Sequence, residues 1–126
     1  MKIYLAGRIS QQQELHEVRK QLWQLGHEVV STWIDEGGSK GDRKSLALRD
    51  LCQISQADVL ILDTTSPLAE DGGGGREFEA GFAIGQFQHK KVWRVGPEKN
   101  AFHSLIQKCF NSWNDVYIFL EGLNNE

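Results

Sequence analysis

A chain of 126 residues, 40% hydrophobic and 25% charged, can bury one core without staples and is expected to form a single domain over residues 1–126. Its net charge of -3, with the lysines and arginines spread out, excludes a protein built to grip a nucleic-acid polymer, which would show a basic stripe. No apolar run approaches the ~18 residues that a membrane span needs, and Met1 runs straight into a strand-like segment with no leader pattern, so the expected location is the cytoplasm.

Residues 3–7 (IYLAG) are a short apolar run closed by glycine, which predicts a buried strand. Residues 11–25 carry Leu15, Val18, Leu22 and Leu25 at helical spacing, and Gly26 is the natural stop. Residues 27–33 (HEVVSTW) are rich in β-branched side chains and predict a second strand. A polar glycine-rich loop follows at 36–42, then a helix at 43–55 with Leu46, Leu51 and Ile54 on one side. Residues 58–63 (DVLILD) are the clearest buried strand. After a long loop at 64–75 come a helix at 76–88, a strand at 91–95 closed by Gly96 and Pro97, a short helical segment at 101–107, a brief strand at Cys109 and Phe110, and a terminal helix at 113–123. Cys52 and Cys109 lie inside apolar patterns with no metal-site spacing, which predicts two reduced core thiols. His27 and His89 precede strands and are expected to be solvated turn residues.

Strands and helices thus alternate throughout, which predicts an α/β fold: a parallel sheet of about five strands with helices on both faces. Ligands in such folds bind beyond the carboxyl ends of the strands, where strand order reverses. The loops after Gly7, Asp63 and Gly96 are therefore the expected sources of chemistry. The most unusual is the one after Asp63, where Gly72 to Gly75 precede Arg76 and Glu77. Glycines there let backbone approach a ligand, and free N–H groups at the following helix start favour an anion or a sugar hydroxyl. The same composition also suits a plain solvent loop. Neither GxxxxGK[ST] nor GxGxxG occurs, so neither an ATPase nor a dinucleotide enzyme is indicated.

Glu79 falls in the predicted first turn of the third helix, where the helix dipole would help hold a nucleophilic carboxylate ionised. Taken alone, Glu77 and Glu79 are better explained as acids that complement that dipole. Asp50, in the second helix, is the other carboxylate of interest, because retaining glycoside chemistry pairs a nucleophile with a proton-transfer group ~5 Å away. Asp58 is better explained as a strand-start residue. His103 lies beside the same edge as Glu79.

Four segments, in order, resemble the nucleoside 2-deoxyribosyltransferases and their relatives, the 2'-deoxynucleoside 5'-phosphate N-hydrolases. Residues 3–7 resemble the family's opening strand with its active-site tyrosine, here Tyr4. Asp50, eight residues ahead of Asp58 and Val59, resembles the helix aspartate before the family's "ADV" strand. Residues 78–83 (FEAGFA) resemble the segment holding the catalytic glutamate. Residues 96–103, with Phe110 and Trp113, resemble the tail of compact relatives.

The resemblance implies a flavodoxin-like doubly wound sandwich and a covalent mechanism without metal or organic cofactor. Glu79 would be the nucleophile, Tyr4 its neighbour, and Asp50 the positioning or proton-transfer group. Substrate contacts would come from Gly7, Arg8, Asp71, Gly75, Arg76, Asn100 and His103. The hydrolases' phosphate-binding serines are not clearly reproduced; Ser66 is the candidate for one, with Arg8 or Arg76 as substitute phosphate ligands. The implied partners are a small nucleoside or nucleotide and a free base, and the chain would transfer deoxyribosyl groups or hydrolyse nucleoside 5'-monophosphates. Two other readings use the same scaffold: a nucleotide-binding or sensing protein without turnover, and a protein holding a flavin phosphate in its glycine loop.

Family members are oligomers in which a neighbour's C-terminal segment completes the pocket, for which residues 100–103 are the candidate. The aromatic tail (Phe102, Phe110, Trp113, Tyr117 and Phe119) exceeds what one helix needs for its own core contact. It points to a homo-oligomer, a symmetric dimer or an assembly of dimers.

Overall fold

Five strands pair in parallel in the order β2-β1-β3-β4-β5, the doubly wound arrangement expected from the alternating pattern. The computed structural model describes residues 1–36, 41–66, 74–86 and 91–125. The strands are β1 (Lys2–Ala6), β2 (Glu28–Val29), β3 (Val59–Asp63), β4 (Lys91–Val95) and β5 (Lys108–Phe110). The helices are α1 (Gln12–Gln24), α2 (Arg43–Gln56), α3 (Gly75–Gln86) and α4 (Trp113–Asn124), with 3-10 turns at Ile9–Gln11, Trp33–Asp35 and Ala101–Leu105.

Central β3 (VLILD) is buried along its whole length, which explains a run of four aliphatics where a half-exposed strand would alternate. Each such side chain contributes about 1.5–3 kcal/mol on leaving water. Side-chain alternation splits the work between the faces of the sheet. Tyr4, paired with Leu60, faces α2 and α3, whereas Trp93 and Asp63 face α4. On that second face Asp63 is wholly buried. Its Oδ1 accepts hydrogen bonds from the Thr65 N–H (2.8 Å) and Thr65 Oγ1 (2.6 Å), and its Oδ2 accepts one from Trp113 Nε1 (2.8 Å). The end of β3 is thereby pinned to the start of α4.

Several expectations need correction. The second strand is only two residues long. Ser31 Oγ accepts the Leu5 N–H at 3.0 Å and Trp33 Nε1 donates to the Leu5 carbonyl at 2.7 Å, so side chains take over where backbone pairing with β1 stops. Cys52 and Cys109 are free but exposed, not core thiols. In edge strand β5, Phe110 packs with Trp93 and Phe119, and alternation turns Cys109 to the other face. His27 is buried, its Nδ1 2.9 Å from the Met1 ammonium, and both burial and that charge lower its pKa. His89 lies outside the described residues.

The aromatic tail also has more work inside the chain than its position suggested. Trp113 is buried with Tyr117 stacked on it, and Phe110 and Phe119 are half-buried around Trp93; Phe102 alone of the five is exposed, at 75%. Among the described residues no helix is long and apolar enough to cross a membrane.

Gly26 ends α1 with φ +90°, as its position predicted. Gly96 has φ +109°, and a Cβ there would stand 2.6 Å from Thr64 Oγ1 and 2.9 Å from the Thr65 backbone nitrogen. Gly96→Ala is therefore expected to destabilise the fold by roughly 1–3 kcal/mol. Urea unfolding would measure this, and Gly26→Ala, whose Cβ meets nothing within 4 Å, should show the smaller backbone penalty alone.

Candidate active site

Tyr4 stands in the middle of β1 with no exposed surface, and its side chain runs under α3. Its hydroxyl donates to Glu79 Oε2 across 2.5 Å, within the range of a charge-assisted O–H···O⁻ contact. Helix α3 starts at Gly75, one residue earlier than expected, so Glu79 is its fifth residue and Glu77 is the first-turn acid. The electrostatics of Glu79 follow from its burial. Burial dominates and pushes the Glu79 carboxyl up to about 7, against the Tyr4 hydrogen bond, which lowers it; the Asp50 charge raises it further. Tyr4 is itself pushed well above the phenol range by burial, by the Glu79 charge and hydrogen bond, and by Asp50. It is therefore a donor that keeps its proton.

Asp50, on α2, is close enough for its charge to act on both other groups. Its own pKa is raised, chiefly by burial, although the Arg49 hydrogen bond and charge oppose the shift. Strand β1 and helices α2 and α3, from separate parts of the chain, thus bring Tyr4, Asp50 and Glu79 together on one face of the sheet. A carboxylate near its titration midpoint, a fixed hydroxyl donor and a second acid form a set able to attack an electrophilic carbon and manage a proton.

No protein-family model matches the chain, and no curated protein matches it significantly. Solved structures do. It is 25% identical to a 2-deoxyribosyltransferase from Bacillus psychrosaccharolyticus, over 93% of this chain and 90% of that one, with a TM-score of 0.75. The chain has a 2-deoxyribosyltransferase fold. A conserved protein from Enterococcus faecalis V583 shares that fold at 16% identity, covering 98% of each chain, with a TM-score of 0.73. So does the Clostridium botulinum CMP N-glycosidase BcmB, at 18% identity over 100% of both chains and a TM-score of 0.64.

Within this deoxyribosyltransferase fold the remaining expected site residues separate into two groups. Arg8 and Gly75 stand at the carboxyl edge of the sheet; the Arg8 N–H donates to Gln11 Oε1 at 2.9 Å, and Gly75 has open space around it. Gly7, Ser66, Arg76, Asn100 and His103 are engaged within the chain. A Cβ on Gly7 would meet Gln11 Oε1 at 3.1 Å and Leu15 at 3.2 Å, so close helix packing accounts for this glycine. The carbonyl of buried Ser66 accepts from Lys99 Nζ at 2.6 Å. Arg76 is buried and donates to the Asp63 carbonyl at 3.0 Å; burial lowers its pKa, and so does the nearby Arg8 charge. Asp71 lies outside the described residues, as do Gly72 and Gly73.

Asn100 Oδ1 caps the 3-10 turn by accepting the Phe102 and His103 N–H groups. His103 Nδ1 accepts the Lys99 N–H at 3.0 Å, which places the ring proton on Nε2, 2.8 Å from Glu77 Oε2. Residues 100–103 therefore close on this chain's own α3. Glu77 does more than complement the helix dipole: it holds that segment in place. The contact joins residues 26 apart, and no local spacing announces it. Among the described residues no three His, Cys, Asp or Glu side chains cluster as a metal site.

Burial alone would raise the Glu77 pKa, but hydrogen bonds from His103 and Asn100 carry it below the ordinary value. Its contribution to stability is complete above the usual carboxylate value of about 4.3 and vanishes as pH falls through the depressed folded value. Glu77→Gln is expected to cost about 1 kcal/mol at pH 7, allowing for partial solvent screening. In urea titrations over a pH series, the gap from wild type should close below about pH 4.

Proposed function

We propose that this protein cleaves the N-glycosidic bond of a nucleoside and passes the deoxyribosyl group to another base, with Glu79 as nucleophile. The observation that carries the reading is the part-buried Tyr4–Glu79 hydrogen bond with Asp50 beside it, in a chain with a 2-deoxyribosyltransferase fold. A Glu79 oxygen forms a bond to C1' as the C1'–N bond breaks through an oxocarbenium-like transition state. The electron pair of the broken bond goes to the departing base, and Asp50 supplies its proton, directly or through one water. An ester between Glu79 and the sugar results. A second base then attacks C1', returns its proton to Asp50 and frees the Glu79 carboxylate. Tyr4 holds Glu79 Oε2 throughout and fixes which oxygen faces the sugar.

One observation favours a second reading, the hydrolysis of nucleoside 5'-monophosphates, with water in place of the acceptor base. Arg8 stands near Arg76 at the carboxyl edge of β1 and β3, where burial first and then the Arg8 charge lower the Arg76 pKa. A phosphate dianion would relieve that repulsion. Incubation with deoxynucleosides and with their monophosphates, each with and without an acceptor base, separates the two readings by chromatography. Binding without any released base would instead point to a sensing protein.

Glu79→Gln should lower cleavage by several orders of magnitude, because glutamine keeps the shape but forms no ester. The variant should melt no lower than wild type, since it removes a buried carboxylate whose charged form is disfavoured. A 2'-fluoro substrate should leave a covalent adduct on the wild type by mass spectrometry and none on the variant. Wild-type cleavage should decline as pH falls below about 7, where Glu79 gains its proton. Near-normal turnover by Glu79→Gln would refute the assignment.

Self-association is part of this reading. Phe78 next to Glu79, and Phe102 beside the Glu77 contact, are 67% and 75% exposed. A second copy of the chain covering them would shield the site from water. Light scattering at micromolar concentration should give a dimer or a multiple of it, and a monomer mass would overturn the expectation.

A further inference from the structure

Side chains at adjacent helix positions point in different directions and do not normally meet. Arg49 and Asp50 on α2 are an exception. Arg49 Nη2 donates to Asp50 Oδ1 at 2.8 Å, and Nε donates to the same oxygen at 3.3 Å. The guanidinium is turned toward Asp50 and held from its far side by Glu36, just beyond the Trp33–Asp35 turn. Nη1 and Nη2 donate to Glu36 Oε2 and Oε1 at 2.6 and 2.8 Å, a two-pronged contact that fixes the plane as well as the place of the group. Glu36 is tied in turn by its backbone carbonyl, which accepts from Gln12 Nε2 at 2.6 Å at the start of α1. The chain of contacts runs from α1 through Glu36 and Arg49 to Asp50, and only Oδ1 of Asp50 is taken up by it.

We infer that Arg49, braced by Glu36, is a positioning residue that orients the Asp50 carboxyl toward Glu79 and governs when Asp50 carries a proton. This rests on the proposed role of Asp50 as the proton donor to the departing base. With Oδ1 occupied, Oδ2 is the oxygen left for that transfer. Four charged or titratable groups surround the Asp50 carboxyl: Arg49 on its own helix, Glu36 from the turn before it, Tyr4 from β1 and Glu79 from α3. Arg49 and Glu36 act on it in opposite directions, the first favouring the carboxylate and the second the acid.

The test follows Asp50 directly, by NMR titration of its carboxyl carbon in protein labelled at aspartate, with Asp50→Asn giving the assignment. Arg49→Met should move the Asp50 midpoint up, Glu36→Gln should move it down, and Arg49→Lys should leave it near wild type. With the substrate that wild type cleaves, Arg49→Met should lower kcat roughly 10- to 100-fold with KM little changed, as for misplacement of a group that does not bind substrate. Arg49→Lys should restore only part of kcat, because an ammonium cannot bridge both carboxylates in one plane. Midpoints that stay put, or that move the same way in Arg49→Met and Glu36→Gln, would overturn the inference, as would an unchanged kcat in Arg49→Met. Should the wild type cleave no glycosidic bond, the reading of the site fails, and the titration still decides whether Arg49 governs Asp50.

Discussion

Glu79 is a carboxylate placed where water cannot fully solvate it, and the arrangement around it answers that constraint. An unpaired buried charge costs several kcal/mol, so such a group is neutralised or given partners. Tyr4 supplies a hydroxyl that cannot easily lose its proton. Its hydrogen bond offsets only part of the desolvation, which leaves the carboxyl pushed up to about 7. A fully solvated glutamate would be ionised all the time but a weaker, strongly hydrated nucleophile. A fully neutralised one would be inert.

The two faces of the sheet divide stability from the proposed chemistry. On the α1/α4 face, Asp63, Trp113 and the Trp93–Phe110–Phe119 cluster lock the end of β3 and the edge of the sheet. On the α2/α3 face the same strands present Tyr4 to Glu79 and Asp50. Because β3 and residues 3–6 of β1 are adjacent and buried, the position of Tyr4 is as rigid as the core itself. A group that must hold one carboxylate oxygen within hydrogen-bond reach belongs on such an element rather than on a loop.

Charged contacts around the site serve as struts between elements. Glu77 and His103 join α3 to the β4–β5 connection, Lys99 joins that connection to the end of β3, and Arg49 joins α2 to the turn after β2. Each bridges two segments that the hydrophobic core alone would leave free to shift. Exposed ion pairs contribute little to stability, yet geometry at this scale matters to catalysis well beyond its stability value.

Element order, element type and the parallel sheet were legible in the chain because they depend on local periodicity. Four aliphatics at 59–62, a helical stripe at 15, 18 and 22, and glycines at helix and strand ends each carry their own signal. The likeness of residues 3–7 and 78–83 to one enzyme family also marked out Tyr4 and Glu79. What pairing and packing decide left no such trace. The depth of Glu79, the burial of His27 and His103, the exposure of both cysteines and the short reach of β2 all depend on which segments lie across from one another. The helix-dipole expectation for Glu79 ran in the wrong direction for that reason: a dipole is a property of one helix, whereas desolvation comes from β1 beneath it. Sequence by itself determined which groups are present and in what order. The tertiary structure decided how much water each one keeps, and so what its proton does.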